Sequence, residues 1–232
     1  MLALIPTVGR TPLLGGLVRV LLGDGVRVAV VDASPEPPGK HCRDVAMLCG
    51  TNDLCGYYSR PGQNIYAAWN EGIGAGCVSG EQVLILNDDI TIEPGSALEV
   101  GRMLKDSGFA ILGFDSREKE VVDRLDGPGE PRVWEVPGTY DRGHGIPMFA
   151  FAVDPMLCAR CDESYCWWFG DDDLVYATVG IGGKVGIAHR IHVIHEGGAS
   201  NEKHPGPDLR PKGWLQHDRE LFERKWSGRA VA

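Results

Sequence analysis

Two clusters of carboxylates stand where predicted secondary structure elements end or begin. Asp88 and Asp89 follow the apolar run 83–86, which has the composition of a strand buried on both faces. Ionised carboxylates are rarely buried without a partner, and a hard cation such as Mg²⁺ or Mn²⁺ is their natural one. A solvated turn after the strand is the simpler alternative. The pair therefore predicts either an exposed turn or a metal site that also uses substrate phosphates.

The second cluster, 171–173, precedes a predicted helix that begins at Leu174. A helix N-terminus favours carboxylates and accounts for one of the three, but not for all of them. Trp167, Trp168 and Phe169 come just before the acids. Aromatic faces beside carboxylates can hold a sugar ring, with stacking on the ring face and hydrogen bonds to the hydroxyls. This cluster predicts a carbohydrate-binding or catalytic edge.

His195 follows an apolar run that reads as a strand. A single histidine is more often structural than functional. One at the end of a strand that faces an acidic pair is nevertheless a credible metal ligand.

The first third of the chain predicts a parallel sheet. Residues 1–6 form an apolar strand, Thr11 and Pro12 open a helix that ends at Gly23, and 26–31 form a second buried strand. Such strand–helix–strand units bind ligands at the carboxyl ends of their strands. Residues 35–62 predict only loops and short strands.

The glycine run 72–76 superficially resembles a dinucleotide-binding loop. Such a loop follows a strand and opens a helix, whereas this run follows the predicted helix 64–73 and precedes a strand. We therefore predict a helix cap and turn there. Further along, the patterns predict these elements: helix 93–104, strand 110–114, a hairpin or excursion at 115–145, strand 147–153, helix 174–178, strands 185–188 and 191–194, and an amphipathic closing helix 214–226.

Composition narrows the class of protein. The chain has 232 residues and a formal charge of −9, which argues against a general binder of nucleic-acid backbone. No apolar run approaches 18 residues, and the first eight residues lack a basic region and a cleavage site. We therefore expect no membrane span, no secretory signal and a cytoplasmic location. The seven cysteines are expected to be reduced thiols. The alternative is a zinc site, either at Cys158-x-x-Cys161 followed by Cys166 or at Cys42, Cys49 and Cys55.

Taken in order, the motifs resemble those of family-two GT-A glycosyltransferases. The first half carries Pro6-Thr7-x-x-Arg10, Val30-Val31-Asp32-x-Ser34, Asn64-x5-Asn70-x-Gly72 and Leu86-Asn87-Asp88-Asp89. The second half carries Asp162-Glu163, Gly170-Asp171-Asp172-Asp173-Leu174, His195-x-Gly197-Gly198-x-Ser200 and Phe222-x-x-Lys225-Trp226. The resemblance covers nearly the whole chain.

The resemblance implies a single α/β domain of the GT-A type. Its central sheet would be mostly parallel and flanked by helices, with a Rossmann-like nucleotide-binding half. Residues 1–90 would bind the nucleotide sugar, 91–200 would form the acceptor half, and 201–232 would form a C-terminal loop and helix.

The resemblance also implies an inverting, metal-dependent transfer of a sugar from a nucleoside-diphosphate donor, most commonly a UDP-sugar, to a hydroxyl. In such enzymes the cation is Mn²⁺ or Mg²⁺. Asp171 would be the general base, with Asp172 as the alternative. The remaining implied positions are Thr7, Asp32, Asn64 and Asp88 for the donor, and Asp89 and His195 for the metal.

The acceptor stays open between a glycan, a protein, a lipid-linked sugar and a modified nucleobase. Two other functions also stay open. A nucleotidyltransferase would use metal carboxylates too, but it usually has a glycine-rich, basic loop after the first strand, where this chain has Thr7-Val8-Gly9-Arg10. A non-catalytic carbohydrate-binding protein could keep the same fold.

Overall fold

The computed structural model describes residues 1–34, 39–116, 132–133, 146, 148–196 and 211–226. The strands are β1 (Leu2–Thr7), β2 (Arg27–Asp32), β3 (Cys55–Ser59), β4 (Val83–Leu86), β5 (Ile90–Ile92), β6 (Ile111–Ser116), β7 (Arg132–Val133), β8 (Ala150–Val153) and β9 (Val185–His195). The helices are α1 (Leu14–Gly23), α2 (Lys40–Cys49), α3 (Ile65–Ser79), α4 (Ser96–Ser107), α5 (Gly170–Gly180) and α6 (Trp214–Trp226).

The first half of the chain builds a parallel sheet in the order β3-β2-β1-β4. β1, β2 and β4 are largely apolar and buried, with all four residues of β4 buried, whereas β3 at the edge of the sheet is half-buried to exposed. In the register of β1 and β2, Thr7 lies opposite Asp32. The carboxyl ends of these strands therefore form one continuous edge, as the sequence predicted.

The second half extends the same sheet through β8, β6, β9 and β5. β8 runs antiparallel to β4 and β6, while β6 and β9 are parallel. β5 pairs antiparallel with β9, and this pairing sets Ile90 opposite His195. The chain is thus an α/β fold with a mostly parallel central sheet flanked by helices, as predicted, and the sheet is curled.

The hydrophobic core lies in two layers, one on each face of the sheet. The helices α1, α2 and α4 contribute to one layer. The other layer receives α3, α5 and the side chain of Phe222 from α6. The core therefore fixes the helix ends that surround the carboxyl edge of the parallel strands.

The prediction of a cap and turn at the glycine run 72–76 is wrong, because α3 continues through it to Ser79. A Cβ on Gly72 would lie 2.8 Å from a methyl carbon of Leu4, and one on Gly76 would lie 2.5 Å from Val83. These glycines let the helix approach β1 and β4 closely. The helix ends at Gly80, whose φ of 68° suits glycine.

Several element boundaries differ from the sequence predictions. Residues 35–62 contain a full helix, α2, as well as β3. The Thr11 hydroxyl accepts the Leu13 N–H at 3.2 Å, as a helix cap would, but α1 itself begins at Leu14. The two strands predicted at 185–188 and 191–194 form one long strand, β9. The register with β6 shifts between the two runs, since Phe114 pairs with Ala188 and Asp115 with His192, so a bulge joins the runs within one strand.

The prediction that all cysteines are reduced is wrong for one pair, because Cys49 and Cys55 form a disulfide. These residues end α2 and begin β3, so the bond ties the helix to the edge of the sheet. Most of the excursion predicted at 115–145 lies outside the described residues. No helix in the described part of the chain is long and apolar enough to cross a bilayer.

Candidate functional site

A cavity of about 90 Å³ opens at the carboxyl ends of β1, β2 and β4. Most of its wall is apolar, and one edge carries Thr7, Asp88 and Asp89. The wall is completed by Pro6, Val8, Val31, Ala33, Gln63, Ile65, Ala68, Asn87 and Trp167. An apolar slot with a few polar groups at one edge is the usual form of a small-molecule site, and here it lies where open α/β sheets bind ligands.

Thr7 and Asp88 form a hydrogen-bonded pair at the polar edge of the cavity. The Thr7 hydroxyl donates to Asp88 Oδ2 and accepts the Gly9 N–H at 2.8 Å. Both side chains are buried. Burial raises the pKa of Asp88 to about 7, although the Thr7 hydrogen bond opposes this rise. The sheet therefore holds two predicted donor-binding residues in one fixed pair.

Asp89 and His195 meet at the same edge. His195 Nε2 lies 3.2 Å from Asp89 Oδ1, because β5 carries the chain from Asp89 directly alongside the end of β9. The Phe149 ring stacks on the imidazole with centroids 4.1 Å apart and planes 11° apart, which fixes the orientation of His195. Two residues 106 positions apart in the sequence thus face each other.

This pair fits a divalent cation. Asp89 Oδ1 is buried, and although it lies close to His195 Nε2, the two atoms lack the geometry of a hydrogen bond, so this oxygen has no hydrogen-bond partner. Adjacent ligands of an octahedral Mg²⁺, each about 2.1 Å from the ion, lie about 3 Å apart, which is close to the observed separation. An unpaired buried carboxylate oxygen beside an imidazole nitrogen is what a cation would satisfy.

Asp32 lies at the end of β2, just behind the cavity wall. Its Oδ1 accepts the Ser34 N–H at 2.8 Å and the Ser34 hydroxyl, and its Oδ2 accepts the Tyr57 hydroxyl. The side chain is only 1% exposed. Its neighbours Val31, in β2, and Ala33, just after it, line the cavity, whereas Asp32 holds the segment that follows β2 through Ser34.

Asn64 caps α3. Its Oδ1 accepts the Tyr66 N–H at 2.7 Å, and its Nδ2 donates to the Tyr165 carbonyl at 2.6 Å. The flanking residues Gln63 and Ile65 line the cavity, but Asn64 does not. Its side chain therefore ties the helix start beside the cavity to the segment 162–169.

The segment 162–169 wraps around one carboxylate of α6. Asp218 is fully buried and accepts the backbone N–H groups of Cys166, Trp167 and Trp168 at 2.8, 2.8 and 2.9 Å. Burial opposes the charge of Asp218, but these N–H groups together with the hydrogen bond to His217 outweigh it and hold its pKa below the usual range. Because Trp167 lines the cavity, α6 helps to position that wall.

The three acids of the second cluster have different surroundings, all in the first turn of α5. Asp173 is fully buried and binds Lys225 Nζ at 2.9 Å and Trp226 Nε1 at 2.7 Å. Asp171 and Asp172 are half-buried. Asp173 thus anchors α6, and the other two face more open surroundings. The helix begins at Gly170, four residues before the predicted start.

Asp171 stands beside Tyr66 rather than in the cavity wall. Burial, and after it the charge of Asp171, raise the pKa of Tyr66 well above its usual value. The Tyr66 hydroxyl donates to the Trp167 carbonyl at 2.9 Å. The predicted base is therefore connected to the cavity through one tyrosine and one tryptophan.

The entry into α5 is tightly constrained. Phe169 has a φ of 65°, the one positive φ among non-glycine residues of the described chain, and it packs on Phe222 with centroids 5.4 Å apart. At Gly170 a Cβ would lie 2.3 Å from the Tyr66 ring. Left-handed backbone at a bulky residue is unfavourable and occurs often at functional sites.

Gly170→Ala is expected to destabilise the fold by about 1 to 3 kcal/mol, because the buried Tyr66 ring leaves no room for the added methyl group. Thermal unfolding measures this effect. Gly180→Ala is the matched control at the other end of α5, where nothing lies within 4 Å of the added carbon. Equal melting temperatures for the two variants would contradict the packing argument.

Asp173→Ala is expected to lower the free energy of unfolding by roughly 3 kcal/mol, because Trp226 loses its hydrogen-bond acceptor and Lys225 keeps Asp162 but loses its buried carboxylate partner. For a chain of this length that corresponds to a fall in Tm of about 6 to 12 °C. The control is Asp172→Ala, one residue away and only half-buried, with an expected loss below about 1 kcal/mol. A larger loss for Asp172→Ala would reverse the assignment.

Two positioning residues escaped the sequence analysis. Asp218 carried one signal, since it occupies the otherwise apolar face of the amphipathic closing helix. Tyr66 carried none, because its role depends on the absence of a side chain at Gly170, 104 residues later.

Comparison with solved structures shows the fold. The chain is similar to S. aureus TarS 1–349, with a TM-score of 0.60 and 11% identity over 84% of this chain and 59% of that one. A second TarS structure has a TM-score of 0.61 and 10% identity, and the match covers 85% of this chain and 37% of that one. GalNAc-T7, in a structure with UDP, GalNAc and Mn²⁺, has a TM-score of 0.59 and 10% identity. The match covers 84% of this chain and 43% of that one. The fold is therefore GT-A-like, as the motifs suggested.

The chain spans between 37% and 59% of the length of these three chains. No protein-family model and no curated protein sequence matches it.

Proposed function

We propose, from the GT-A-like fold and the carboxylate edge of its cavity, that this protein is an inverting glycosyltransferase. It transfers a sugar from a nucleoside-diphosphate donor, most commonly a UDP-sugar, to a hydroxyl acceptor, and it depends on Mn²⁺ or Mg²⁺. The solved structure of GalNAc-T7 with UDP, GalNAc and Mn²⁺ supports this choice of donor and cation.

One observation carries the proposal. The buried Asp89 Oδ1 lacks a hydrogen-bond partner and faces His195 Nε2 at 3.2 Å, at the edge of a cavity formed by the ends of parallel strands. These two residues would hold the cation. When bound, it supplies a Lewis acid that stabilises the negative charge developing on the leaving diphosphate.

The donor enters the cavity so that the apolar wall of the cavity surrounds its nucleobase. Thr7 and Asp88 hold the polar edge, where their mutual hydrogen bond fixes both side chains before the ligand arrives. Asp32 and Asn64, which resemblance assigns to the donor, act in this proposal by holding the loop and the helix start whose neighbours line the cavity. A preformed site binds more tightly because less ordering is required.

The acceptor hydroxyl needs a base because it is a weak nucleophile. Asp171 takes its proton as the new glycosidic bond forms and the bond to the diphosphate breaks, and Asp172 is the alternative base. Attack from the face opposite the leaving group inverts the anomeric carbon. Positioned proton transfer of this kind typically contributes about 100- to 10,000-fold to the rate.

The aromatic residues beside the base complete the acceptor side. Trp168 is 43% exposed, although its backbone N–H is held by Asp218. An exposed indole on a fixed turn offers a flat surface for a sugar ring. A glycan acceptor, or a glycan on a protein, fits this surface, and the flat face of a modified nucleobase would stack on it as well.

A ligand screen by thermal shift separates the three possible functions. Nucleoside diphosphates that stabilise the protein only with Mn²⁺ or Mg²⁺ support a glycosyltransferase. Stabilisation by triphosphates instead would support nucleotidyl transfer, and stabilisation by free glycans alone would support a binding protein. The stabilising sugar nucleotide is then incubated with glycan acceptors, and NMR of the product reads the configuration at the anomeric carbon. Retention there would refute the inverting mechanism.

A further inference from the structure

A second group of side chains with metal-ligand chemistry is formed by the residue before Trp167 and by two residues of α6. Cys166 Sγ, His217 Nδ1 and a carboxylate oxygen of Asp218 all lie within 4.8 Å of one another. They come from the turn 162–169 and from α6, which are about fifty residues apart. The separation between Cys166 and His217 in the sequence matches no short metal-binding motif.

The alternative zinc site at Cys158-x-x-Cys161 finds no such support. Cys158 Sγ lies 3.6 Å from the Thr178 hydroxyl, and both cysteines are buried. Burial raises the pKa of the Cys158 thiol to about 12. Within the described chain, the group around Cys166 is the one set of three such ligands.

The distances suit a tetrahedral ion. Cys166 Sγ lies 3.9 Å from His217 Nδ1, which in turn lies 3.0 Å from Asp218 Oδ1. With metal–ligand lengths of about 2.3 Å for sulfur and 2.0 to 2.1 Å for nitrogen and oxygen, tetrahedral ligands lie about 3.3 to 3.6 Å apart. Shifts of a few tenths of an ångström at the half-exposed His217 would close the site.

Asp218 can bind a metal ion and keep its hydrogen bonds to the backbone of the turn 162–169. Its Oδ2 accepts two backbone N–H groups, whereas Oδ1 accepts one, from Cys166, and otherwise faces His217. Each carboxylate oxygen has two lone pairs. A metal would therefore replace the contact between His217 and Asp218 and leave all three backbone hydrogen bonds in place.

We propose that Cys166, His217 and Asp218 form a binding site for Zn²⁺ or a similar borderline-soft divalent cation, with the fourth position open to water. On binding, the Cys166 thiol releases its proton to solvent and the thiolate bonds to the ion. Thiolate and imidazole favour Zn²⁺ over Mg²⁺ or Mn²⁺, so this site is chemically distinct from the one at Asp89 and His195.

The ion would fasten α6 to the turn that positions Trp167. Asp218 now connects them through three hydrogen bonds, beside a bond from Lys225 to Asp162 and the packing of Phe222 on Phe169. Coordination would add direct bonds from both elements to one ion. Because Trp167 lines the cavity, occupancy of this site stiffens one wall of the donor cavity.

Titration of the full chain with Co²⁺ in place of Zn²⁺ tests the proposal. We expect a thiolate-to-cobalt charge-transfer band and tetrahedral d–d bands that saturate with one equivalent at this site and that excess Zn²⁺ abolishes. Cys166→Ser should remove the charge-transfer band, and His217→Ala should weaken binding by more than the 10- to 100-fold typical of outer-shell changes. Zn²⁺ at one hundred times its Kd should raise the Tm of the unsubstituted chain by about 5 to 10 °C.

Two controls make the result specific. Cys77→Ser removes another partly exposed thiol and should leave the bands unchanged. Asp89→Ala should also leave them unchanged, which separates this site from the proposed catalytic cation. Absence of the charge-transfer band in the unsubstituted chain, its persistence in Cys166→Ser, or its loss in Asp89→Ala would each overturn the proposal.

Discussion

Asp89→Ala is expected to lower kcat/KM for sugar transfer by about 1000-fold, which corresponds to about 4 kcal/mol of transition-state stabilisation. The substitution removes the buried oxygen that faces His195 and lacks a hydrogen-bond partner. The measurement is initial rate against Mn²⁺ concentration. The variant should no longer respond to the metal, and UDP with Mn²⁺ should stabilise it much less than it stabilises the unsubstituted chain.

Fold loss must be separated from loss of chemistry in this experiment. Asp89 has an unsatisfied oxygen, so its removal should not cost folding stability, and the variant should melt within a few degrees of the parent protein. Asp44→Ala, an exposed acid on α2, is the control and should keep full activity. A fully active, metal-responsive Asp89→Ala protein would remove Asp89 from the site.

Asp171→Asn is expected to lower kcat by about 100- to 10,000-fold while donor binding changes little, because the amide cannot accept the acceptor proton. The acid limb of the pH–rate profile should also disappear. Transfer rates across pH and UDP affinity by thermal shift provide the two measurements. Asp171 does not line the donor cavity, which is why binding and turnover should separate.

Asp172→Asn is the matched comparison, since it changes the next residue in the same helical turn and is equally half-buried. If Asp172 is the base, the two variants exchange their phenotypes. Similar, small effects from both substitutions would show that neither carboxylate takes the proton and would refute this part of the mechanism.

The sequence predicted the acidic edge well because its signal is local. A continuous apolar run such as 83–86 marks a buried strand, and parallel strands end at one edge, so Thr7 and Asp88 were expected near each other. The structure joins them by a direct hydrogen bond. The assignment of these residues to a donor remains a prediction.

Other predicted site residues acquired partners that no local pattern could show. Asp32 is engaged by Tyr57, from a neighbouring strand, and Asn64 by the carbonyl of Tyr165, a hundred residues away. The glycines of α3 suggested a turn because the sequence does not show that Gly72 packs against Leu4 of β1 and Gly76 against Val83 of β4. In each case a contact across the fold decided the role.

By itself, the sequence determined the alternation of strands and helices, the position of the acids at element ends, and the GT-A resemblance, because these depend on residue type and short-range spacing. The tertiary structure decided which of these acids is buried against side chains from another element. Asp171 and Asp173 are alike in sequence, yet Asp173 is fully buried and binds Lys225 and Trp226 of α6, whereas Asp171 is half-buried. Burial and partners are properties of the packed chain, and they separate carboxylates that composition cannot tell apart.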